Sequence, residues 1–218
     1  MLTYLFDPLC GWCYAASPAL AQTLDAGIEI EMLPTGLFTG AGSRIMDTAF
    51  AAHAWSNDQR IEGLTGQRFT EIYKKNLLSA GAQFDSGPAT LALTAVKLTA
   101  PERLFEALKA IQYARYVEGK DTSAVPTLHK ILTDNGLIEA ANRLAAPDKA
   151  LRTANAEWVA AGQRLMRELG ARGVPTIVNR RTPQAQLIHS SVLYHDPGQL
   201  AANLTASSNL PESVVARP

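Results

Sequence analysis

The sequence predicts an α/β fold in which a βαβ unit and a ββα unit flank a long all-helical block. Three observations predict it. A short apolar run near the N-terminus is followed by a helical pattern and then by a run of alternating residues. Only helical patterns follow, from about Arg44 to Leu169, and strand-like runs return after them. Two strands joined through a helix should lie parallel, with a right-handed crossover.

The first unit contains two predicted strands and one predicted helix. Leu2 to Phe6 carries no charge, which predicts a short buried strand. Gly11 to Ala26 is a predicted helix that Gly27 ends, and Pro18 should kink it because proline removes a helical hydrogen bond. Ile28 to Met32 alternates apolar and acidic residues, which predicts a half-exposed strand.

Capping residues divide the central block into several helices. The predicted helix starts lie at Asn57-Asp58, Asp85-Ser86-Gly87-Pro88, Pro101, Pro126 and Asp148. Gly136 and Gly170 are predicted helix ends. The last helix carries apolar residues at three- and four-residue spacing, so Trp158 on this stripe should be buried in the core.

The C-terminal unit contains the returning strands. Thr176 to Val178 and Gln186 to Ile188 are predicted strands, separated by a polar turn at residues 179–183. A final helix is predicted to end near Leu204. We therefore predict a discontinuous domain of residues 1–40 and 150–206, an inserted helical domain of residues 41–149 and a tail of residues 207–218.

Composition excludes several classes of function. Lys and Arg total 20 and Asp and Glu total 20, and this balance argues against nonspecific nucleic-acid binding, which needs a basic surface. The longest uncharged run, Pro8 to Leu24, contains proline, glycine and polar residues, so no membrane span is predicted. The chain opens without a basic segment ahead of an apolar run. We expect a cytoplasmic protein, or one whose signal has been removed.

The only two cysteines, Cys10 and Cys13, lie three positions apart between the first strand and the first helix. Unpaired N–H groups and the helix dipole favour an anion at a helix start, so we expect Cys10 to have the lower pKa. Cys13 lies one turn further along. Attack by Cys10 on a substrate disulfide would form a mixed disulfide, which Cys13 would then resolve.

Two other interpretations of the pair are weaker. A zinc site needs about four ligands. The chain has no second cysteine pair, and its four histidines show no ligand spacing, so no metal is predicted. A buried pair without redox activity is the other possibility, but packing does not require this spacing at a strand–helix junction.

The element order, together with Cys10-Gly11-Trp12-Cys13 and Gly173-Val174-Pro175-Thr176, resembles the DsbA family of the thioredoxin superfamily. The resemblance is greatest to its signal-less, FrnE-like members of the protein disulfide isomerase type. It implies a thioredoxin fold with a large all-helical insertion. It also implies that Cys10 is the nucleophile, that Cys13 is the resolving cysteine, and that the Val174-Pro175 peptide bond is cis.

Three further residues are candidates for substrate binding. Pro175 precedes a strand and cannot donate to a ladder, and a cis bond would leave the backbone of Val174 free to pair with an extended substrate. Trp12 lies in the turn of the cysteine motif. It is predicted either to be partly exposed, where it would contact a peptide, or to pack against the loop Pro34 to Ser43.

The predicted function is that of a thiol-disulfide oxidoreductase acting on protein or peptide thiols. The disulfide would be carried on the protein, so no dissociable cofactor is predicted, and glutathione or a thioredoxin-type reductant would be a co-substrate. The motif departs from strongly oxidising family members because Gly11-Trp12 offers no histidine to favour the thiolate. The sequence does not decide between an oxidase, a reductase and an isomerase, since a change of a few tens of millivolts in the reduction potential shifts the equilibrium about tenfold.

Two alternative functions remain. Kappa-type glutathione transferases and hydroxychromene carboxylate isomerases resemble this architecture, but they generally carry serine in place of Cys10 and lack the pair. The second alternative is a binding module whose insertion recognises a partner and whose cysteines sense redox state. Turnover with a dithiol or with glutathione would separate an enzyme from such a module.

Overall fold

A computed structural model of the protein describes residues 1–181 and 185–208. Its strands are, in chain order, β1 (Leu2–Phe6), β2 (Ile30–Pro34), β3 (Arg44–Ile45), β4 (Gln83–Phe84), β5 (Thr176–Asn179) and β6 (Gln186–Ile188). Its α-helices are α1 (Gly11–Ala15), α2 (Ser17–Asp25), α3 (Thr48–Thr65), α4 (Glu71–Leu77), α5 (Gly87–Thr99), α6 (Leu104–Tyr116), α7 (Val125–Asp134), α8 (Ile138–Ala145), α9 (Lys149–Glu168) and α10 (Gln199–Ser208). Short 3-10 helices occupy Gly40–Gly42, Pro101–Arg103 and Ser190–Leu193.

The central sheet has four strands in the order β2-β1-β5-β6. β1 pairs in parallel with β2, as predicted for the βαβ unit, and antiparallel with β5. β5 pairs antiparallel with β6. Both β1 and the middle of β5 are buried, so these two strands form the core of the sheet.

The second strand begins two residues later than predicted. Its register places Leu2 opposite Ile30 and Phe6 opposite Pro34. Ile28 is outside the strand because its N–H donates to the Thr23 carbonyl at 3.2 Å and thereby closes the end of α2.

The helix predicted at Gly11 to Ala26 consists of two helices that meet at Ala16. Pro18 lies in the first turn of α2, where its missing N–H costs no helical hydrogen bond. The predicted kink is therefore a break just before the proline.

The central block is helical from α3 to α8, except that β3 and β4 form a two-residue antiparallel ladder. α5 lies at its centre and contacts α6, α7, α8 and α9. The predicted starts of α5, α7 and α9 are close to those observed, and Asp148 caps α9 by accepting from the N–H of Leu151.

The predicted helix start at Asn57-Asp58 is wrong. α3 begins at Thr48, and Asp47 caps it by accepting a hydrogen bond from the N–H of Phe50. Asn57 and Asp58 lie inside this helix, and Asp58 is buried. The sequence pattern does not distinguish an aspartate that caps a helix from one on a buried helix face.

α9 attaches the helical block to the sheet. Trp158 is buried, as predicted, and its Nε1 donates to the carbonyl of Met32 in β2 at 2.8 Å. Gly162 lies where α9 crosses β2, and a Cβ there would overlap the carbonyl oxygen of Pro34. The glycine therefore permits the close approach of helix and strand.

The C-terminal unit has the predicted order. Part of the predicted turn at residues 179–183 lies outside the described residues, as does the predicted tail from residue 209 onward. α10 runs to Ser208, beyond its predicted end near Leu204, and packs against α2. Within residues 1–181 and 185–208, none of the helices combines the length and the apolar character needed to cross a membrane.

Candidate active site

The two thiols lie immediately beyond the end of β1. Cys10 is the N-cap residue of α1, and its N–H donates to the carbonyl of Asp7 at 3.1 Å. Both cysteines are free thiols. Cys10 is 7% exposed and Cys13 is 0% exposed, so Cys10 is the thiol that a substrate can reach.

The strand pairing brings the distant segment around Pro175 to Cys10. β5 runs antiparallel to β1, with Thr176 opposite Leu5, and the peptide bond between Val174 and Pro175 is cis. Cys10 Sγ donates to the carbonyl oxygen of Val174 at 3.6 Å, across 164 positions of sequence. A shallow groove of about 460 Å³ beside this contact is lined by Trp12, Val174 and Pro175, among others.

Cys13 is held in a fully buried environment. Burial raises its pKa well above the ordinary value, and the hydrogen bond and charge of Cys10 raise it further. The hydroxyl of Tyr4, itself fully buried in β1, donates to the Cys13 carbonyl at 3.2 Å. Cys13 therefore stays a protonated thiol at neutral pH unless its surroundings change.

We expect mild alkylation of the reduced protein to label Cys10 at least about tenfold faster than Cys13. Cys13 is both inaccessible and held as a thiol, and the thiolate is the form that reacts. Timed labelling with iodoacetamide at neutral pH, followed by peptide mass spectrometry, measures both rates. The Cys10→Ser variant is the control and should show only slow labelling. Faster labelling of Cys13 would reverse the proposed order of the two thiols.

Trp12 lies beside the thiols and is partly exposed. Among the described residues its aromatic partner is Tyr194, with ring centroids 5.0 Å apart, and the guanidinium carbon of Arg60 lies 5.8 Å from its ring centroid. Trp12 also lines a cavity together with Phe38 of the loop 34–43, the loop of the predicted alternative. Tyr194, which follows the 3-10 helix Ser190–Leu193, is a site residue that the sequence did not reveal.

Asp7 connects the cysteine loop to two other segments. Its Oδ1 accepts from the N–H of Leu9 at 2.9 Å, and its Oδ2 accepts from the N–H of Phe38 at 3.1 Å and from Ser86 Oγ at 2.8 Å. The side chain is fully buried, which raises its pKa, although these hydrogen bonds act in the opposite direction. Asp7 therefore holds the cysteine loop, the loop after β2 and the start of α5 together.

The helical block forms one wall of an open cavity of about 240 Å³ beside Cys10. Residues 9–12 form one side of it, and Tyr116 of α6 fixes this side because its hydroxyl donates to the Leu9 carbonyl at 2.6 Å. Most of the remaining lining is apolar or aromatic. The polar residues of the opposite side are His53, Asn57, Asp58 and Tyr73.

Asp58 is the buried acid of this cavity. Its Oδ2 accepts from the hydroxyl of Tyr73 at 2.9 Å. Burial raises the pKa of Asp58 to about 7, whereas the hydrogen bond from Tyr73 and the charge of Arg115 lower it. A Cβ on Gly11 would lie 2.9 Å from Asp58 Oδ1, so the glycine of the cysteine motif lets α3 approach closely.

Sequence reasoning missed Asp58 and the residues around it. One signal was available, because Asp58 falls on the apolar stripe formed by Phe50, Ala54 and Ile61 at helical spacing. Tyr4 and Asp7 gave no such signal, since each reads as an ordinary residue in or after a buried strand.

No group of three or more His, Cys, Asp or Glu side chains that could hold a metal occurs in the described part of the chain.

No family model and no curated protein matches the sequence. Among solved structures, the cytosolic disulfide reductase DsbM from Pseudomonas aeruginosa is 32% identical, with a TM-score of 0.85 over 96% of this chain and 99% of that one. A second DsbM structure, with GSH, is 33% identical with a TM-score of 0.83, at the same coverage of both chains. The chain belongs to the DsbA family of the thioredoxin superfamily.

More distant structures of the DsbA family share the fold. A candidate protein disulfide isomerase from Nitrosomonas europaea is 24% identical, with a TM-score of 0.77 over 96% of this chain and 98% of that one. A candidate DsbA oxidoreductase from Streptomyces coelicolor is 18% identical, with a TM-score of 0.66 over 98% of this chain and 93% of that one. This DsbA-family member has the predicted thioredoxin fold with a helical insertion, and it is a thiol-disulfide oxidoreductase.

Proposed function

We propose that Cys10 and Cys13 are the catalytic residues, with Cys10 as the nucleophile and Cys13 as the resolving thiol. The Cys10 thiolate attacks one sulfur of a substrate disulfide, and the other sulfur leaves with the electron pair. Cys13 then attacks Cys10 Sγ, which releases the second substrate thiolate and closes the Cys10–Cys13 disulfide. The observation that carries this order is the difference in burial, because 7% of Cys10 is exposed whereas Cys13 is completely buried.

An extended peptide is the substrate that suits the surroundings of Cys10. Val174 and Pro175 line the groove next to the thiol, together with Trp12. In this proposal the backbone of Val174 pairs with the peptide, as in strand addition, and Trp12 contacts its apolar side chains.

We propose net reduction of disulfides, with glutathione as the source of electrons. A redox pair becomes a strong oxidant when its reduced, thiolate form is stabilised. Gly11-Trp12, between the two cysteines, supplies no histidine that would stabilise a thiolate. The name of DsbM as a cytosolic disulfide reductase and its structure with GSH support the same direction, and we place the protein in the cytoplasm on this basis.

Turnover with glutathione and a peptide disulfide tests the proposal. Oxidised glutathione would be measured through glutathione reductase and NADPH, with each substrate omitted in turn. We expect NADPH consumption that requires the protein, glutathione and the peptide disulfide together. The Cys10→Ser variant is the matched control and should give only the uncatalysed rate.

The other outcomes separate the alternative functions. Conjugation of glutathione to an electrophile, without disulfide exchange, would favour the transferase or isomerase alternative. Absence of turnover with both glutathione and a dithiol would favour the redox-sensing module. Faster oxidation of peptide dithiols than reduction of peptide disulfides would reverse the proposed direction.

A further inference from the structure

We propose that Asp58 is a catalytic acid and base that exchanges a proton with the substrate sulfur reacting at Cys10. The inference rests on the proposed function of the Cys10–Cys13 pair. It assigns a role to the cavity between the helical block and the nucleophile, and it makes that block part of the catalytic machinery.

The cavity brings the acid and the nucleophile to one space. Cys10 and Gly11 line one side of it, and Asp58 of α3 lines the other. Asp58 Oδ1 lies 2.9 Å from the position that a Cβ on Gly11 would take, so it adjoins the residue directly after the nucleophile. At about 240 Å³ the space is smaller than typical sites for drug-sized ligands, and it suits a cysteinyl group or a small thiol.

One carboxyl oxygen of Asp58 accepts a hydrogen bond, and the other lies next to the cysteine motif. The hydroxyl of Tyr73 in α4 donates to Oδ2, which fixes the orientation of the carboxyl group. Oδ1 is the oxygen next to Gly11. A sulfur that enters the cavity to reach Cys10 therefore has Oδ1 available as a proton acceptor.

The charged and titratable groups around Asp58 come from several elements. Tyr73 faces it from α4, Arg115 and Tyr116 act on it from α6, and the cavity adds Cys10 and His53. The Arg115 guanidinium is buried and lies over aromatic rings, with its carbon 5.7 Å from the ring centroid of Tyr73. Its positive charge lowers the pKa of Asp58 and so favours the carboxylate form.

Asp58 supplies the proton transfer that the reaction needs in each direction. For reduction of the enzyme, the Asp58 carboxylate takes the proton of an incoming thiol, and the thiolate attacks Cys10 Sγ. The bond between Cys10 and Cys13 breaks, its electron pair stays on Cys13 Sγ, and a mixed disulfide forms on Cys10. In the reverse step the protonated Asp58 returns its proton to the departing thiolate. A carboxyl group with a pKa of about 7 can act both ways near neutral pH.

The Asp58→Asn variant tests this role, because it keeps the shape and an acceptor for Tyr73 but cannot exchange a proton. We expect kcat/KM for glutathione to fall about 100-fold at neutral pH. With a series of small thiols, the loss should shrink as the pKa of the thiol falls, since an ionised thiol needs no base. The inflection of kcat/KM near pH 7 should also disappear in the variant, which leaves only the rise with pH that ionisation of the thiol itself produces.

Two further variants make the experiment decisive. Glu62→Gln removes another carboxyl group of α3, one that does not line the cavity, and should leave the rates unchanged. Tyr73→Phe keeps the Asp58 carboxyl but removes a hydrogen bond that lowers its pKa, so the midpoint of the pH profile should move upward. If Asp58→Asn fails to fold, this shift decides the question.

Two results would overturn the assignment. One is an Asp58→Asn variant with an equal loss, or none, for every thiol and with the wild-type pH profile. The other is a Tyr73→Phe profile that keeps the wild-type midpoint. Failure of the proposed function looks different, because wild-type protein would then catalyse no thiol-disulfide exchange at all.

Discussion

Replacing Cys13 by serine should convert the protein into one that accumulates mixed disulfides on Cys10. Cys10 can still attack a substrate disulfide, but the thiol that would release the product is gone. Turnover should fall by at least about 1000-fold, and the Cys10→Ser variant should lose as much without forming the adduct. Incubation with a peptide disulfide, followed by mass spectrometry under non-reducing conditions, measures the adduct directly.

The double variant Cys10→Ser, Cys13→Ser is the control for nonspecific adducts, since the chain has no other cysteine. An adduct on Cys13 in the Cys10→Ser variant would reverse the roles of the two residues. Wild-type exchange activity in both single variants would mean that the pair is not the active site.

Replacing Asp7 by alanine should lower the free energy of unfolding by about 3–5 kcal/mol. The substitution removes the acceptor of three hydrogen bonds, which come from the N–H groups of Leu9 and Phe38 and from the hydroxyl of Ser86. Each buried donor left without a partner costs about 1–3 kcal/mol. Urea unfolding followed by circular dichroism measures the loss.

Ser86→Ala is the matched control, because it removes one of these hydrogen bonds and should cost about 1 kcal/mol. A loss of stability in Asp7→Ala no larger than that in Ser86→Ala would contradict the inference that Asp7 holds three segments together.

The pH dependence of stability gives a second check. Burial raises the pKa of Asp7, so the folded state binds its proton more tightly than the unfolded state, and wild-type stability declines as pH rises through the folded pKa. The difference between Asp7→Ala and wild type should therefore be smaller at high pH than at low pH.

The parts of the site that the sequence predicts are those with a local signal. Cys10 and Cys13 are three positions apart at a strand–helix junction, and Pro175 precedes a strand, so each can be recognised from its neighbours. The element order also follows from local periodicity, which is why the parallel pairing of the first two strands could be predicted.

The remaining parts of the site depend on which helix and strand surfaces pack against each other. Periodicity identifies the apolar face of a helix but not the element on which that face packs. The sequence therefore contains no signal that α3 packs against the cysteine motif. For the same reason it predicts a helix start at Asp58, which lies inside α3. Tyr194 is a similar case, because its place beside Trp12 follows from the path of the chain after β6.

The contact between Cys10 and Val174 also determines when the site can be assembled during protein synthesis. The two residues are separated by 164 positions, and the segment with Val174 is made after the segment with Cys10. A ribosome that adds about 5–20 residues per second needs roughly 8–33 s to cover this distance. Throughout that interval the nascent chain carries both thiols without the segment that lines the groove beside Cys10. Both thiols are thus translated well before the segment that completes their surroundings.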